Sequence, residues 1–264
     1  MLEVKNLSSG YGAETVIRNI TFTVGKGESL CILGPNGCGK STLLKAIARI
    51  IDYSGLVTLE TDTEGSQIDI KEIPRKELAK KIAMLEQTTQ MHFPYTVYET
   101  VSMGRYTWSQ GFFKNLSTED KEIIKNILIK LDIWDIKDRM IDELSGGTLQ
   151  RVFLARTLAQ TPDIILLDEP ANHLDLKHQI ELLNFLKSWV KENNKALIGV
   201  FHDLNLAYYF GDTALVLNNS ATLAGTVAAY GKIDEVLTKE TLTAVYGVDV
   251  CGFMREVLGK WDAR

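Results

Sequence analysis

Three short clusters of the sequence combine residue types and spacings suited to phosphate chemistry. The first is Gly34-Pro35-Asn36-Gly37-Cys38-Gly39-Lys40-Ser41, which satisfies the phosphate-loop pattern of a glycine, four residues, then Gly-Lys-Ser. Its glycines let successive backbone N–H groups point inward as an anion nest, and a helix N-terminus behind the loop adds a favourable dipole. In such a loop Lys40 reaches the β- and γ-phosphates and the Ser41 hydroxyl ligates Mg²⁺. Thr42 follows and completes the nucleotide-binding set, in which Cys38 contributes its backbone rather than its thiol. The second cluster is Ile164-Ile165-Leu166-Leu167-Asp168-Glu169. An apolar strand ending in Asp168 would deliver that carboxylate to the sheet edge where ligands bind, as a partner of the metal. Glu169 beside it can polarise an attacking water as general base, or merely cap the segment before Pro170. The third is Leu144-Ser145-Gly146-Gly147, which by itself reads equally well as an ordinary helix cap.

The elements that must position these clusters follow from apolar periodicity. Leu2 to Leu7 and Arg18 to Val24 alternate like half-exposed strands, and Gly25-Lys26-Gly27 is a turn, so the chain opens on an antiparallel pair. Ser29 to Leu33, the glycine-rich loop and a helix over Ser41 to Ile50 give the strand, loop, helix order of a nucleotide-binding α/β unit. Lys81 to Leu85 is a further strand, and Ile164 to Leu167 and Ala196 to Phe201 read as buried parallel strands. Between these halves lies a region of helical periodicity, with helices over Ser117 to Leu131 and Ser145 to Leu158. The expected organisation is a helical subdomain, 88–160, inserted in an α/β core formed by 1–87 and 161–264. Thr213 to Leu217 and Ala221 to Val227 read as strands, and Lys239 to Tyr246 as a short helix.

Composition narrows the classes of function. The 264 residues suffice for a substantial core. With 29 basic against 34 acidic residues the net charge is −5, and without a dense Lys/Arg block a large nucleic-acid footprint is disfavoured. Cys31, Cys38 and Cys251 form no Cys-x-x-Cys pair, so they read as reduced cytosolic thiols. The N-terminal Met1-Leu2-Glu3-Val4-Lys5-Asn6 is acidic where a signal peptide is basic, and no apolar run of about 18 residues occurs. The expectation is a cytoplasmic chain whose membrane role, if any, comes through a partner.

Taken in order, the phosphate loop, Leu144 to Gly147 and the Ile164 to Glu169 strand resemble the ATP-binding cassette (ABC) family over almost the whole chain. The resemblance implies a P-loop NTPase (RecA-like) α/β core with an antiparallel β subdomain, ATP and Mg²⁺ as cofactors, and ATP hydrolysis as the activity. It also implies a head-to-tail dimer of two copies, in which Ser145, Gly146 and Gly147 of one meet the γ-phosphate held by the other. Tyr11 matches the aromatic that stacks on adenine, although a lone loop tyrosine is commonly surface packing. Gln87 matches the glutamine that senses the metal and the attacking water. His202 matches the histidine that holds the γ-phosphate and orients that water, and Asn172 to Asp175 the loop through which the paired subunits communicate. Thr148 stands where Gln or Glu is common, Glu86 where proline is frequent and Ala171 where Ser or Thr is usual. None of these departures removes a phosphate, metal or water ligand.

Asn172 to Glu181 and Tyr95-Thr96-Val97 leading to Met103-Gly104-Arg105 resemble the importers of iron chelates, haem and cobalamin. This implies two transmembrane permease subunits as partners, a substrate-binding protein acting indirectly, and a place on the inner face of the membrane. The alternative is a soluble cassette ATPase in cofactor assembly or another non-transport role; a monomeric phosphate-loop GTPase or kinase lacks its Asn-Lys-x-Asp reader here and leaves Ser145 to Gly147 unexplained. His173 and His178 are off the i, i+4 spacing and predict no metal site. Tyr95, Tyr98, Tyr106, Trp108, Phe112 and Phe113 crowd the start of the helical region, either as its core or as a groove for a partner's helix. Cys251 to Arg264 fits the subfamily poorly.

Overall fold

Leu2, Val4 and Leu7 are buried while the residues between them are more exposed, and the segment forms β1 (Leu2–Tyr11), antiparallel to β2 (Glu14–Val24). Both strands run further than their alternation suggests. Asn6 and Asn19 adopt φ of 51° and 53°, and the pairing shifts register between Val4 and Leu7 and again beyond. The extra residues are held by side chains: Asn6 N–H donates to Thr21 Oγ1 and Asn19 N–H to Ser8 Oγ, both at 2.9 Å. Such bulges reverse which residues face inward, so the alternation breaks although the pairing continues. The computed structural model describes residues 1–61, 65–86, 94–108, 116–170, 172, 174–220 and 223–262.

Next come β3 (Ser29–Leu33) and α1 (Lys40–Ile47). The helix stops short of Ile50 because Arg49 turns to a φ of 54° and its guanidinium donates to the Ile73 carbonyl at 2.7 Å. Then follow β4 (Tyr53–Glu60), β5 (Gln67–Asp69), α2 (Arg75–Lys81) and β6 (Ile82–Leu85). Between β6 and the next strand every described regular element is helical: α3 (Val97–Ser102), α4 (Thr118–Lys130) and α5 (Gly146–Ala159) are the α-helices. Thr96 with Glu99 and Ser117 with Asp120 form capping boxes at α3 and α4, each satisfying two otherwise free backbone donors. The remainder is β7 (Ile164–Asp168), α6 (Leu176–Glu192), β8 (Ala196–Val200), α7 (Leu204–Phe210), β9 (Thr213–Ser220), β10 (Leu223–Lys232), α8 (Ile233–Val236), α9 (Lys239–Tyr246) and α10 (Val250–Asp262).

The strands form one sheet in the order β5-β4-β1-β2-β10-β9-β3-β8-β7-β6. β9, β3, β8, β7 and β6 run parallel, and β5, β4, β1 and β2 are antiparallel neighbours. β3, β7 and β8 are buried throughout, as expected of strands covered on both faces. Leu30 and Ile32 enter one core with α1, while Cys31 and Leu33 enter the other with α4, α5 and α6. β8 lies between β3 and β7, so the carboxyl ends of these three strands bring Gly34, His202 and Asp168 to one edge of the sheet.

Polar ties hold the helical region together and join it to the sheet. Arg105 Nε donates to Asp120 Oδ1 at 2.6 Å and its Nη1 to the Ala159 carbonyl at 2.9 Å, both in the interior. Trp108 Nε1 donates to the Gln160 carbonyl at 2.8 Å, and Gln160 Nε2 to the Ile82 carbonyl at 3.1 Å. Among the described residues no helix is long and apolar enough to cross a membrane.

Candidate functional site

The buried β3 carries the chain to the sheet edge, where the loop from Gly34 to Gly39 turns back into α1. Gly39 sits at the helix N-terminus with φ +92°, and a Cβ there would fall 2.2 Å from Ile17 Cγ2, so no larger residue fits. A cavity of about 270 Å³ opens above it, walled by Asn36, Gly37, Gly39, Lys40, Ser41 and Thr42, with Val16 from β2 and with Glu169 and His202. Lys40 is buried, its ammonium donating to the Gly34 and Pro35 carbonyls at 2.8 and 3.0 Å. The Cys38 side chain lies behind the loop, and burial pushes its thiol above the ordinary range, which leaves it a poor nucleophile. Tyr11 stands at the tip of the β1–β2 hairpin, 50% exposed.

Asp168 ends β7 and is 4% exposed. Burial pushes its carboxyl above the usual carboxylate range; a hydrogen bond with the Ser41 side chain opposes this and the Glu169 charge adds to it. Asp168 Oδ1 has no hydrogen-bond partner, and a buried polar atom left so is costly unless a ligand completes it. One carboxylate and one hydroxyl, all oxygen donors, fit a hard divalent cation such as Mg²⁺.

Glu169 adopts φ +55°, a left-handed conformation uncommon outside glycine and typical of functional turns. That turn aims its side chain away from Asp168: Oε1 meets His202 Nε2, and Oε2 accepts from Asn172 Nδ2. His202 follows β8, and Asp203 next to it caps α7 by accepting from the Asn205 and Leu206 N–H groups. A carboxylate held between an imidazole and an amide at the wall of this cavity can take a proton from water. Gln87, with Ala171 and His173, lies outside the described residues.

Ser145 caps α5, its hydroxyl accepting from Thr148 N–H at 3.4 Å. Ser145, Gly146 and Gly147 line a separate cavity of about 450 Å³ together with Thr148, Arg151, Leu174, Asp175 and His178. None of these residues lines the cavity of Lys40 and Glu169. Within one chain Gln150 Nε2 of α5 donates to the Pro170 carbonyl after β7, which links the two motifs.

The profile of a family described as "ABC transporter" matches residues 17–172. The chain belongs to the ABC transporter family. The matched segment spans the phosphate loop, the Ser145 cap and β7 with Glu169, and leaves out Tyr11 and His202. Among ABC transporter relatives, the petrobactin import ATP-binding protein YclP of Bacillus subtilis (strain 168) is 37% identical over 95% of this chain and 94% of its own length. The iron(3+)-hydroxamate import ATP-binding protein FhuC of the same organism is 37% identical over 94% of this chain and 88% of its own. The inward-facing structure of an ABC transporter assigned to the metal-chelate type superposes with a TM-score of 0.78 at 29% identity, over 94% of this chain and 89% of that one.

Several residues of this ABC transporter site escape a reading of the sequence. Val16 of β2 joins the cavity of Lys40 and Glu169, and Arg151 of α5, which pairs with Glu181 of α6 at 3.9 Å, lines the Ser145 cavity with His178. Glu86 pairs with Lys45 of α1 at 3.4 Å. Asp175, placed in the communicating loop by resemblance, caps α6 and holds His178 Nδ1 at 2.8 Å. Tyr106 and Trp108 are 65% and 41% exposed; Tyr98 and Tyr106 line a groove of about 340 Å³ with Met103, Arg105 and Leu116. Phe112 and Phe113 lie outside the described residues.

Proposed function

We propose that this chain is the ATP-hydrolysing subunit of an importer of iron chelates (siderophores) or related metal chelates, haem or cobalamin. The observation that carries the reading is the separation of the cavity of Lys40, Glu169 and His202 from the cavity of Ser145 to Gly147. A second copy turned head to tail would bring the two together around one ATP, with the N-terminus of α5 directed at the terminal phosphate. The names of YclP and FhuC and the metal-chelate structure support the cargo class. The finer assignments rest on it too: Gly34 to Thr42 hold the nucleotide, Tyr11 stacks on adenine, and Asp168, Ser41 and Gln87 serve the metal site.

In this reading the loop N–H groups and Lys40 bind the phosphates. Bound Mg²⁺ supplies neutralisation of charge on the β- and γ-oxygens. Glu169 takes the proton of the attacking water, and His202 holds Glu169 and orients the water. Residues 88–160 form an inserted subdomain whose Tyr98–Tyr106 groove receives a permease helix, which keeps the chain at the inner face of the membrane. ATP-driven closure of the dimer moves the permease, and hydrolysis resets it. The test is copurification of the tagged chain with a many-helix permease, with Mg²⁺-dependent ATP turnover abolished by Lys40→Ala. A chain that hydrolyses ATP and never associates with a permease contradicts the importer reading.

A further inference from the structure

The face of the phosphate loop turned away from its cavity rests on the C-terminal part of the chain. Gly34 has φ +143°, and a Cβ on it would lie 2.4 Å from the Leu217 carbonyl oxygen of β9 and 2.9 Å from Cys38 Sγ. Gly225 of β10 is pressed just as closely: a Cβ there would fall 2.1 Å from the Cys38 carbonyl oxygen. Tyr246, at the end of α9 and partly buried in the core beside it, brings its hydroxyl to the backbone of Gly34, with Cys38 nearby. α9 is itself held at both ends. Thr238 caps its start, Gly247 closes it with φ +73°, and Lys239 pairs with Asp249 at 2.6 Å.

These contacts converge on the residues whose peptide groups shape the anion nest. A loop that binds phosphate through oriented N–H groups must have its peptide planes held in place before the ligand arrives. From the cavity side the Lys40 ammonium holds the Gly34 and Pro35 carbonyls; from behind, β9, β10 and α9 pack against the loop.

We propose that Gly225 and Tyr246 are positioning residues for the phosphate loop, so that the strand and helix following β9 set nucleotide affinity without touching the nucleotide. Both lie outside the segment matched by the family profile, residues 17–172. Gly225 admits the loop by lacking a side chain, and Tyr246 fixes its first peptide. The inference rests on the reading of Gly34 to Thr42 as an ATP site.

The test compares the full-length chain with Gly225→Ala, Tyr246→Phe and Val245→Ala. Val245→Ala is the control, since Val245 is buried on the same helix but belongs to a different core cluster from the loop's Cys38. Each is measured for equilibrium binding of a fluorescent ATP analogue, for KM and kcat of ATP hydrolysis, and for Tm. Gly225→Ala is expected to weaken binding at least tenfold. Tyr246→Phe, losing the hydroxyl that reaches the Gly34 backbone, is expected to raise KM about three- to tenfold, with kcat changed less. Val245→Ala is expected to lower Tm and leave affinity unchanged. Wild-type affinity in folded Tyr246→Phe and Gly225→Ala overturns the proposal. So does an equal loss of affinity in Val245→Ala, which would make the effect general loosening. If Gly225→Ala fails to fold, Tyr246→Phe decides. A wild-type chain that binds no ATP removes the ATP reading and this inference with it, whereas wild-type binding with unaltered variants removes the inference alone.

Discussion

Glu169 Oε1 and His202 Nε2 are in hydrogen-bonding contact across the ends of β7 and β8, although 33 positions separate the two residues. The contact exists because β8 and β7 pair in parallel with Asp168 opposite Val200, so the residues that follow each strand emerge together. Glu169 is nearly buried and His202 half-exposed, with side-chain exposures of 10% and 38%. The carboxylate is thus fixed at the cavity wall while the imidazole stays open to it. The two neighbouring acids thus have separate partners, Asp168 the Ser41 side chain and Glu169 the His202 ring at the cavity wall.

Glu169→Gln keeps the shape of the wall and removes the base. ATP affinity should be retained while kcat falls by about 10²–10⁴, the usual contribution of a positioned base. Chromatography of the variant with Mg²⁺ and ATP should show a dimer. A variant that stays monomeric with ATP bound, or that hydrolyses normally, contradicts the role given to Glu169.

Asp168→Asn should separate stability from activity. The folded-state pKa of Asp168 lies above its unfolded value, so the native chain holds this proton more tightly than the unfolded chain does. Ionised Asp168 therefore costs stability at pH values above its folded pKa, and the cost lifts as pH falls through that pKa. At pH 8 without metal or nucleotide, the variant should melt higher than wild type, by about 2–4 °C for each kcal/mol relieved. Near pH 4 the difference should shrink, and Mg²⁺-dependent turnover should be lost at every pH. Thermal melts at both pH values check this, and a lower Tm for the variant at pH 8 would refute the burial argument.

Arg105→Ala leaves Asp120 as an unpaired carboxylate in the interior. Burial acts to raise Asp120, and the bonds from Arg105 and Ser117 more than reverse it. Removing one member of a buried pair costs about 3–5 kcal/mol. Urea denaturation should show that loss, since the same guanidinium also holds the Ala159 carbonyl at the end of α5. A change under 1 kcal/mol, against the usual ~3–5 for such a pair, would mean that water reaches the pair.

The motifs were legible because their chemistry is local. A phosphate loop needs its glycines and lysine in one run, and Ser145 caps α5 through the backbone of Thr148, a few residues away. Asp168 was legible because an uninterrupted apolar strand carries it to the sheet edge. What escaped depends on packing between distant segments. The bulges at Asn6 and Asn19 hide the true lengths of β1 and β2, and β4 begins with exposed Ser54, Gly55 and Leu56, which mask its pairing. Neither α6 nor α10 is among the expected helices. Arg151 and His178 meet at the Ser145 cavity although 27 positions separate them, and nothing in the spacing of Tyr246 points to Gly34.

The composite site itself is tested most directly by mixing differently tagged chains in a Glu169→Gln background and counting occluded ATP per dimer. One mixture pairs a Lys40→Ala chain with a Ser145→Arg chain; the other pairs a chain carrying both changes with one carrying neither. If each site joins one chain's Lys40 to the other's Ser145, the first mixture retains one intact site and occludes one ATP, and the second occludes none. The reverse pattern, none in the first and one in the second, would place the whole site within a single chain and contradict the account.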